Sequence, residues 1–194
     1  MSYITRDSLM SLEAYAKARP EFRARVMAHK RDRVLTLGDH ITLIFEDELT
    51  VRYQVQEMLR AERIFEEAGI QEELEAYNPL VPDGANWKAT MMIEYPDVEE
   101  RQRMLARLIG VEDRVWAQAE GQARVYAIAD EDLERANADK TSAVHFLRFE
   151  IDRASVQALK KGAGLALGID HPAYTVTMAV GPASRASLTA DLKG

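Results

Sequence analysis

The chain has 194 residues, 47% of them hydrophobic and 29% charged, with a formal net charge of -7, a profile that fits an ordinary globular chain with a substantial core. The acidic balance excludes a general nucleic-acid binder, which gains affinity by neutralising phosphates with a basic surface. No run approaches the roughly 18 uninterrupted apolar residues of a membrane span, and the absence of cysteine excludes disulfide scaffolds, Cys-ligated metal centres and thiol catalysis.

The opening MSYITRDSLM is too polar for a secretory leader, so a cytoplasmic location is expected, with neither membrane nor nucleic acid as partner. Thr5 is placed to cap a helix over about 6–18, and Pro20 to begin a second helix running to about Arg31. From Lys17 to Arg33 the chain is locally basic: Arg19, Arg23, Arg25, Lys30 and Arg31 crowd a stretch whose only acids are Glu21 and Asp32. It reads as a solvated helix face, or as a docking patch for an acidic partner or a phosphate.

The period then changes. Val34 to Leu37 and Ile41 to Phe45 are β-rich runs around Gly38-Asp39, a hairpin pattern. From about Asp47 a helix runs through VRYQVQEMLRAERIFE, where Val51, Val55, Met58 and Phe65 line an apolar stripe and Glu62 falls within it. A break is expected at Gly69, then a shorter helix to Tyr77 and a loop over Asn78-Pro79-Leu80-Val81-Pro82-Asp83-Gly84.

Trp87 to Tyr95 reads as a strand, and Asp97 caps a helix ending near Gly110, with Glu100 at the reciprocal position. Val115 to Ala119 and Arg124 to Ala129 flank Gly121-Gln122 as a second hairpin. An acidic helical connection spans Asp130 to Asp139, and Ala143 to Ile151 forms the clearest strand. A helix over Ala154 to Lys161, strands near Leu165 to Ile169 and Tyr174 to Val180, and a closing helix from Pro182 complete the chain. Hairpins outnumber βαβ units, so the expected fold is α+β: a largely antiparallel sheet of two hairpins plus further strands, flanked by about six helices. Residues 1–194 form one domain, a helical segment 1–33 packed on a body 34–194.

Gly162-Ala163-Gly164-Leu165-Ala166-Leu167-Gly168 imitates a phosphate loop, but its third glycine is late and it follows a helix instead of a strand. No Walker loop, nucleophile elbow, His-Glu-x-x-His pair or EF-hand loop is present, nor the Glu-x-x-His of a di-iron bundle. What remains is a constellation. Three predicted strands carry a carboxylate near their C-terminal ends, Glu46, Glu94 and Glu150, and His145 lies in the third. Oxygen ligands with an imidazole suit non-haem iron or another divalent metal. Strand alternation points His145 and Glu150 to opposite faces, so one strand supplies one or the other. Tyr53, Glu57, Arg60 and Glu62, with His145 and Arg148, are candidates to line a polar cleft between helix and sheet. Each has a structural reading beside the functional one: His145 as a hydrogen-bonded core histidine, Arg148 as half of a cross-strand ion pair, Glu62 as a paired or rim carboxylate. Glu62 becomes a proton-transfer candidate if it is buried without a cation.

Four segments, Phe45-Glu46-x-x-Leu49-Thr50-Val51-x-Tyr53-Gln54-x-Gln56-Glu57-Met58-Leu59-Arg60, Asn78 to Gly84, Ile93-Glu94-Tyr95-Pro96-Asp97-Val98-Glu99-Glu100-Arg101 and Thr141-Ser142-Ala143-Val144-His145-Phe146-Leu147-Arg148-Phe149-Glu150, resemble an uncharacterised bacterial family, domain of unknown function 3501. The resemblance spans nearly the whole chain. Members are often encoded near a rubrerythrin-like protein and an iron–sulfur oxidoreductase, which implies a link to peroxide defence or electron transfer and carries over no catalytic residue.

Two hypotheses follow. The first, favoured by that implied context, is an accessory protein of a redox or oxidative-stress system that binds a metalloprotein partner, with the basic second helix as docking surface. The second is a small-molecule enzyme or metal-binding protein using the Glu/His/Arg cleft. Self-association as a homo-oligomer is compatible with either; Trp87, Met91 and Met92 in one strand read as core first and as an interface second.

Overall fold

Alternation of apolar and polar residues after Arg33 produces two antiparallel sheets wrapped around one shared core. The computed structural model describes residues 3–131 and 139–193. Among the described residues there are six α-helices and nine strands: α1 Leu12–Lys30, β1 Val34–Leu37, β2 Ile41–Glu46, α2 Glu48–Ala61, α3 Glu67–Tyr77, β3 Asn86–Ile93, α4 Val98–Arg107, β4 Val115–Ala119, β5 Val125–Tyr126, β6 Ile128–Ala129, β7 Val144–Glu150, α5 Arg153–Lys160, β8 Leu165–His171, β9 Tyr174–Ala179 and α6 Pro182–Ala190. The fold is α+β, as the hairpin count predicts. Most of the expected connection between Asp130 and Asp139 lies outside the described residues.

The sheet orders are β1-β2-β3-β7-β6 and β5-β4-β8-β9, so the single expected sheet is divided in two. The division falls at Ala127, within the stretch read as one strand. β5 pairs with β4 and β6 with β7, while the Ala127 N–H donates to the Val115 carbonyl at 2.8 Å. At the other side Tyr174 Oη donates to the Leu37 carbonyl at 2.6 Å and brings β9 to the end of β1. Leu37, Leu43, Phe45, Trp87, Met91, Phe149, Val115 and Leu167 meet between the sheets, and Leu105 of α4, Leu159 of α5 and Leu188 of α6 close the core. Trp87 and Met91 are therefore core residues, and the Trp87 indole donates to the Leu188 carbonyl at 2.8 Å.

The glycine run has a packing explanation. Gly168 lies opposite Trp116 in the β4–β8 ladder, and a Cβ there would stand 2.2 Å from the indole Cζ2. The indole lies where a side chain would be.

Three expectations about helices are corrected. Thr5 caps only a short turn, Arg6–Ser8, and Ser11 caps one uninterrupted helix, α1, with Pro20 inside it. Tyr15, Phe22 and Val26 bury one face on both sides of the proline against Leu49 and Tyr53 of α2, and this packing outweighs the lost N–H. α2 stops at Ala61. Arg63 takes the left-handed conformation (φ 56), and the Ile64 N–H reaches back to the Leu59 carbonyl at 2.9 Å, a Schellman ending in which Ile64 packs against the apolar cluster that holds Leu59. Glu62 is thus an exposed C-cap and Phe65 is 71% exposed; neither belongs to a buried stripe. The break is at Arg63 and not at Gly69, which sits in the first turn of α3 because a Cβ there would meet Ile64 at 2.8 Å.

Arg33, 1% exposed, ties these layers together. Its guanidinium donates to the carbonyls of Phe45 (3.1 Å) and Glu46 (3.0 Å) at the end of β2, to Ser187 Oγ (3.1 Å) on α6, and to Asp191 (2.5 Å) just beyond it. Burial pushes the Asp191 carboxyl up against the pull of Arg33. Replacing Arg33 by methionine is expected to lower stability by about 3–5 kcal/mol, because it strands a buried carboxylate. Adding Asp191→Asn to that variant is expected to restore part of the loss. Urea unfolding of both checks this; full additivity of the two losses would refute the pairing.

Candidate functional site

Between the outer face of the larger sheet and the end of α3 lies a groove of about 590 Å³, within the usual range for small-molecule sites. The antiparallel register builds its floor. Glu46 of β2 faces Lys88 of β3, Lys88 faces Arg148 of β7, and Phe146 lies two residues away on the same face. Ala76, Tyr77, Pro79 and Leu80 form the opposite wall. The wall is fixed by Asn78, whose side chain accepts from the Ile4 N–H at 2.9 Å and donates to the Ile4 carbonyl at 3.0 Å.

The charges of the groove are unequally committed. Arg148 forks onto Glu131 with two 2.7 Å hydrogen bonds and also contacts Glu150, which accepts from Asn86 at 3.1 Å. Those bonds, opposed by burial, hold the Glu131 carboxyl below its ordinary range. Lys88 differs. Among the described residues no carboxylate comes within salt-bridge distance of it, and burial first, then the Arg148 cation, push its ammonium below the ordinary lysine value. Glu46, only 4% exposed, accepts a 2.5 Å hydrogen bond from the Thr50 hydroxyl. It has no salt-bridge partner among the described residues.

The expected cleft residues separate into three settings. Glu57 faces α1, where Arg19 binds it through two hydrogen bonds (2.7 and 2.8 Å) and Tyr15 donates at 2.7 Å. Tyr53 packs beside it against Phe22, while Arg60 and Glu62 are exposed. Arg148 lines the groove, whose helical wall is α3 instead of α2. His145, wholly buried, points to the core face of the same strand. There its Nδ1 lies 2.5 Å from Asp130 and its Nε2 lies 2.9 Å from the Thr141 hydroxyl, 3.0 Å from the Ser142 carbonyl and 3.9 Å from Glu112.

The expected metal set does not assemble. In antiparallel strands alternate C-terminal ends fall at opposite edges, so exposed Glu94, bonded by Thr42 Oγ1 at 2.7 Å, is far along the ladder from Glu46 and Glu150. Of the basic patch, Arg19 is occupied by Glu57 and Arg25 lies 5.0 Å from the Phe22 ring centroid. Arg23 and Arg31 are exposed and Lys30 is half-buried.

Sequence reasoning missed Lys88, Tyr77, Glu112, Asp130 and buried Gln56, which accepts from the Met10 N–H at 2.7 Å. Lys88 had a visible sign, a lone charge within the strand pattern Trp87-Lys88-Ala89-Thr90. Glu112 had none, because its partner comes from a different part of the chain.

A family model described as "Protein of unknown function (DUF3501)" matches residues 3–192. A solved structure described as a novel protein of unknown function from Burkholderia pseudomallei K96243 is similar, with 56% identity and a TM-score of 0.93, covering 99% of this chain and 100% of the other. No curated protein matches. Among the described residues no helix is long and apolar enough to cross a membrane.

The Glu57 pair gives a pH prediction. The Arg19 hydrogen bonds, resisted by burial and helped by Tyr15 and the Arg19 and Arg60 charges, hold its carboxyl at about 2 against an ordinary 4.5. A depressed carboxylate stabilises the fold fully above pH 4.5 and loses that effect as pH falls towards 2. Glu57→Gln is expected to cost about 1 kcal/mol at neutral pH, with the gap to wild type closing in acid. A gap unchanged across that window, in denaturant titrations, would contradict the ion-pair origin.

Proposed function

For a chain that belongs to the DUF3501 family, a membership that brings no function with it, we propose small-molecule binding in the groove between α3 and the sheet. The observation that carries this reading is Lys88, a half-buried ammonium with no carboxylate at salt-bridge distance among the described residues, opening onto an apolar-walled groove. A buried cation in that position is costly until an anion meets it. Glu46 beside it offers a carboxylate whose present donor is a hydroxyl. Directly opposed strand residues stand about 5 Å apart at Cβ, so one ligand head group spans both. The ligand class that fits is a small hydrophobic acid with an adjacent hydroxyl or amine: carboxylate to Lys88, donor to Glu46, apolar body against Phe146, Tyr77 and Leu80.

Phenyllactate and phenylalanine are suitable probes, followed by calorimetry or chemical-shift titration. Lys88→Met is expected to weaken binding at least tenfold, about 1.4 kcal/mol. In the wild type affinity falls as pH rises through the depressed Lys88 value, below the ordinary 10.5, because only the ammonium attracts the anion. Absence of saturable binding to the wild type at millimolar probe, or equal binding by the variant, refutes the reading.

One surface supports the redox-accessory role that the family resemblance implies: Arg23 within α1 and Arg31 at its end stay exposed, where an acidic metalloprotein would meet them. A complex that survives Arg23→Glu with Arg31→Glu at low salt would count against this docking mode.

A further inference from the structure

The core face of β7 carries a second, separate arrangement of polar atoms. His145 Nε2, Thr141 Oγ1, Glu112 Oε2 and the Ser142 carbonyl converge in the interior: Nε2 is 2.9 Å from the hydroxyl, 3.0 Å from the carbonyl and 3.9 Å from the carboxylate, and the hydroxyl and carboxylate are 3.2 Å apart. Three oxygens therefore lie within 3.9 Å of one ring nitrogen. Asp130 stands 2.5 Å from the other ring nitrogen, Nδ1, accepts the Phe146 N–H at 2.9 Å, and keeps its carboxylate within 4.8 Å of that of Glu112. Asp130 holds this pose with a left-handed backbone, φ 48, a conformation that few non-glycine residues adopt without support from their surroundings.

The chemistry of that convergence is restrictive. An ionised Asp130 only accepts, so Nδ1 carries a proton. A neutral ring then presents the Nε2 lone pair towards the Ser142 carbonyl, and two acceptors at 3.0 Å repel unless a positive centre lies between them. That centre is either a proton on Nε2 or a metal ion. A carboxylate behind a histidine whose far nitrogen faces oxygen ligands is the arrangement that orients metal-bound imidazoles. The separations suit it: around a cation with bonds of about 2.1 Å, neighbouring ligands stand roughly 3.0 Å apart and opposite ones roughly 4.2 Å. Glu112, 7% exposed, supplies the negative charge on the cation side, with the Thr141 hydroxyl as its hydrogen-bond donor.

We propose that His145 Nε2, Glu112, Thr141 Oγ1 and the Ser142 carbonyl form a site for a divalent first-row transition metal ion, with Asp130 fixing the ring from behind. The mixed nitrogen and oxygen set suits zinc, manganese or ferrous iron better than a soft-ligand metal. The site is independent of the groove, which lies on the opposite face of the same strand.

The test uses the full chain, purified untagged and without chelators. Elemental analysis, then calorimetric titration of EDTA-dialysed protein with Zn²⁺ and with Mn²⁺, are expected to show one equivalent bound. The melting temperature should rise by about 5–10 °C at metal a hundredfold above Kd. Glu112→Gln, which keeps shape and the Thr141 contact, is expected to lose binding at least tenfold, and Asp130→Asn about 10- to 100-fold. Affinity unchanged in a folded Glu112→Gln protein places the ion elsewhere and overturns the proposal. Should the variants fail to fold, long-range ¹⁵N spectra of wild-type His145 decide. Protons on both ring nitrogens, unaltered by added metal, establish an imidazolium and overturn the site; an unprotonated Nε2 that shifts on one equivalent of Zn²⁺ supports it.

Discussion

One buried guanidinium organises the chain's layers. Arg33 follows α1, opens the first hairpin and spends its hydrogen bonds on the last carbonyls of β2, on Ser187 of α6 and on Asp191. Asp47, which caps α2 and is contacted by His29, lies 3.5 Å from the same group. Burial works against ionisation of Asp47, yet Arg33 and the Thr50 N–H hold its carboxyl below the ordinary range. The direction in which α2 leaves the sheet, the end of β2 and the seat of the last helix are thus set at one point. The Glu46 carbonyl is itself one of these contacts, so the polar end of the groove inherits its position from a charge that does not line it.

β7 divides its labour by parity. Phe146 and Arg148 face the groove, His145 and Leu147 face the core, and Asp130 clamps the strand between them through the Phe146 N–H and the His145 ring. A one-residue slip of this strand would exchange the two polar sets and leave both without partners. The paired register with β3, where Trp87 lies opposite Phe149 and Met91 opposite His145, resists that slip through apolar burial.

Much of this was readable in one dimension. Period-two runs located the strands, Asp47 and Asp97 marked two helix starts, and alternation in Ala143 to Ile151 correctly turned His145 away from Glu150. What failed did so for identifiable reasons. The end of α2 is fixed by a left-handed arginine, where the sequence pattern favours glycine or asparagine. Pro20 is overridden by packing on both sides of it. The grouping of strand-end carboxylates ignored that antiparallel neighbours run opposite ways. The candidate sites pair residues distant in sequence, Glu46 with Lys88 and Glu112 with His145, and no local pattern encodes such partners.

The split at Ala127 governs how the molecule behaves in a crowd. A sheet border is an invitation to foreign strands, because its unpaired amides and carbonyls can template another chain. Here the borders at β5 and β6 are consecutive pieces of one strand, so the backbone itself seals the seam between the sheets. The remaining borders, β1 and β9, approach each other under the Tyr174 hydroxyl, which also accepts the His40 N–H at 3.2 Å. Strand addition is thereby closed at β5 and β6, and the outer edges of β1 and β9 are the borders along which another strand could pair.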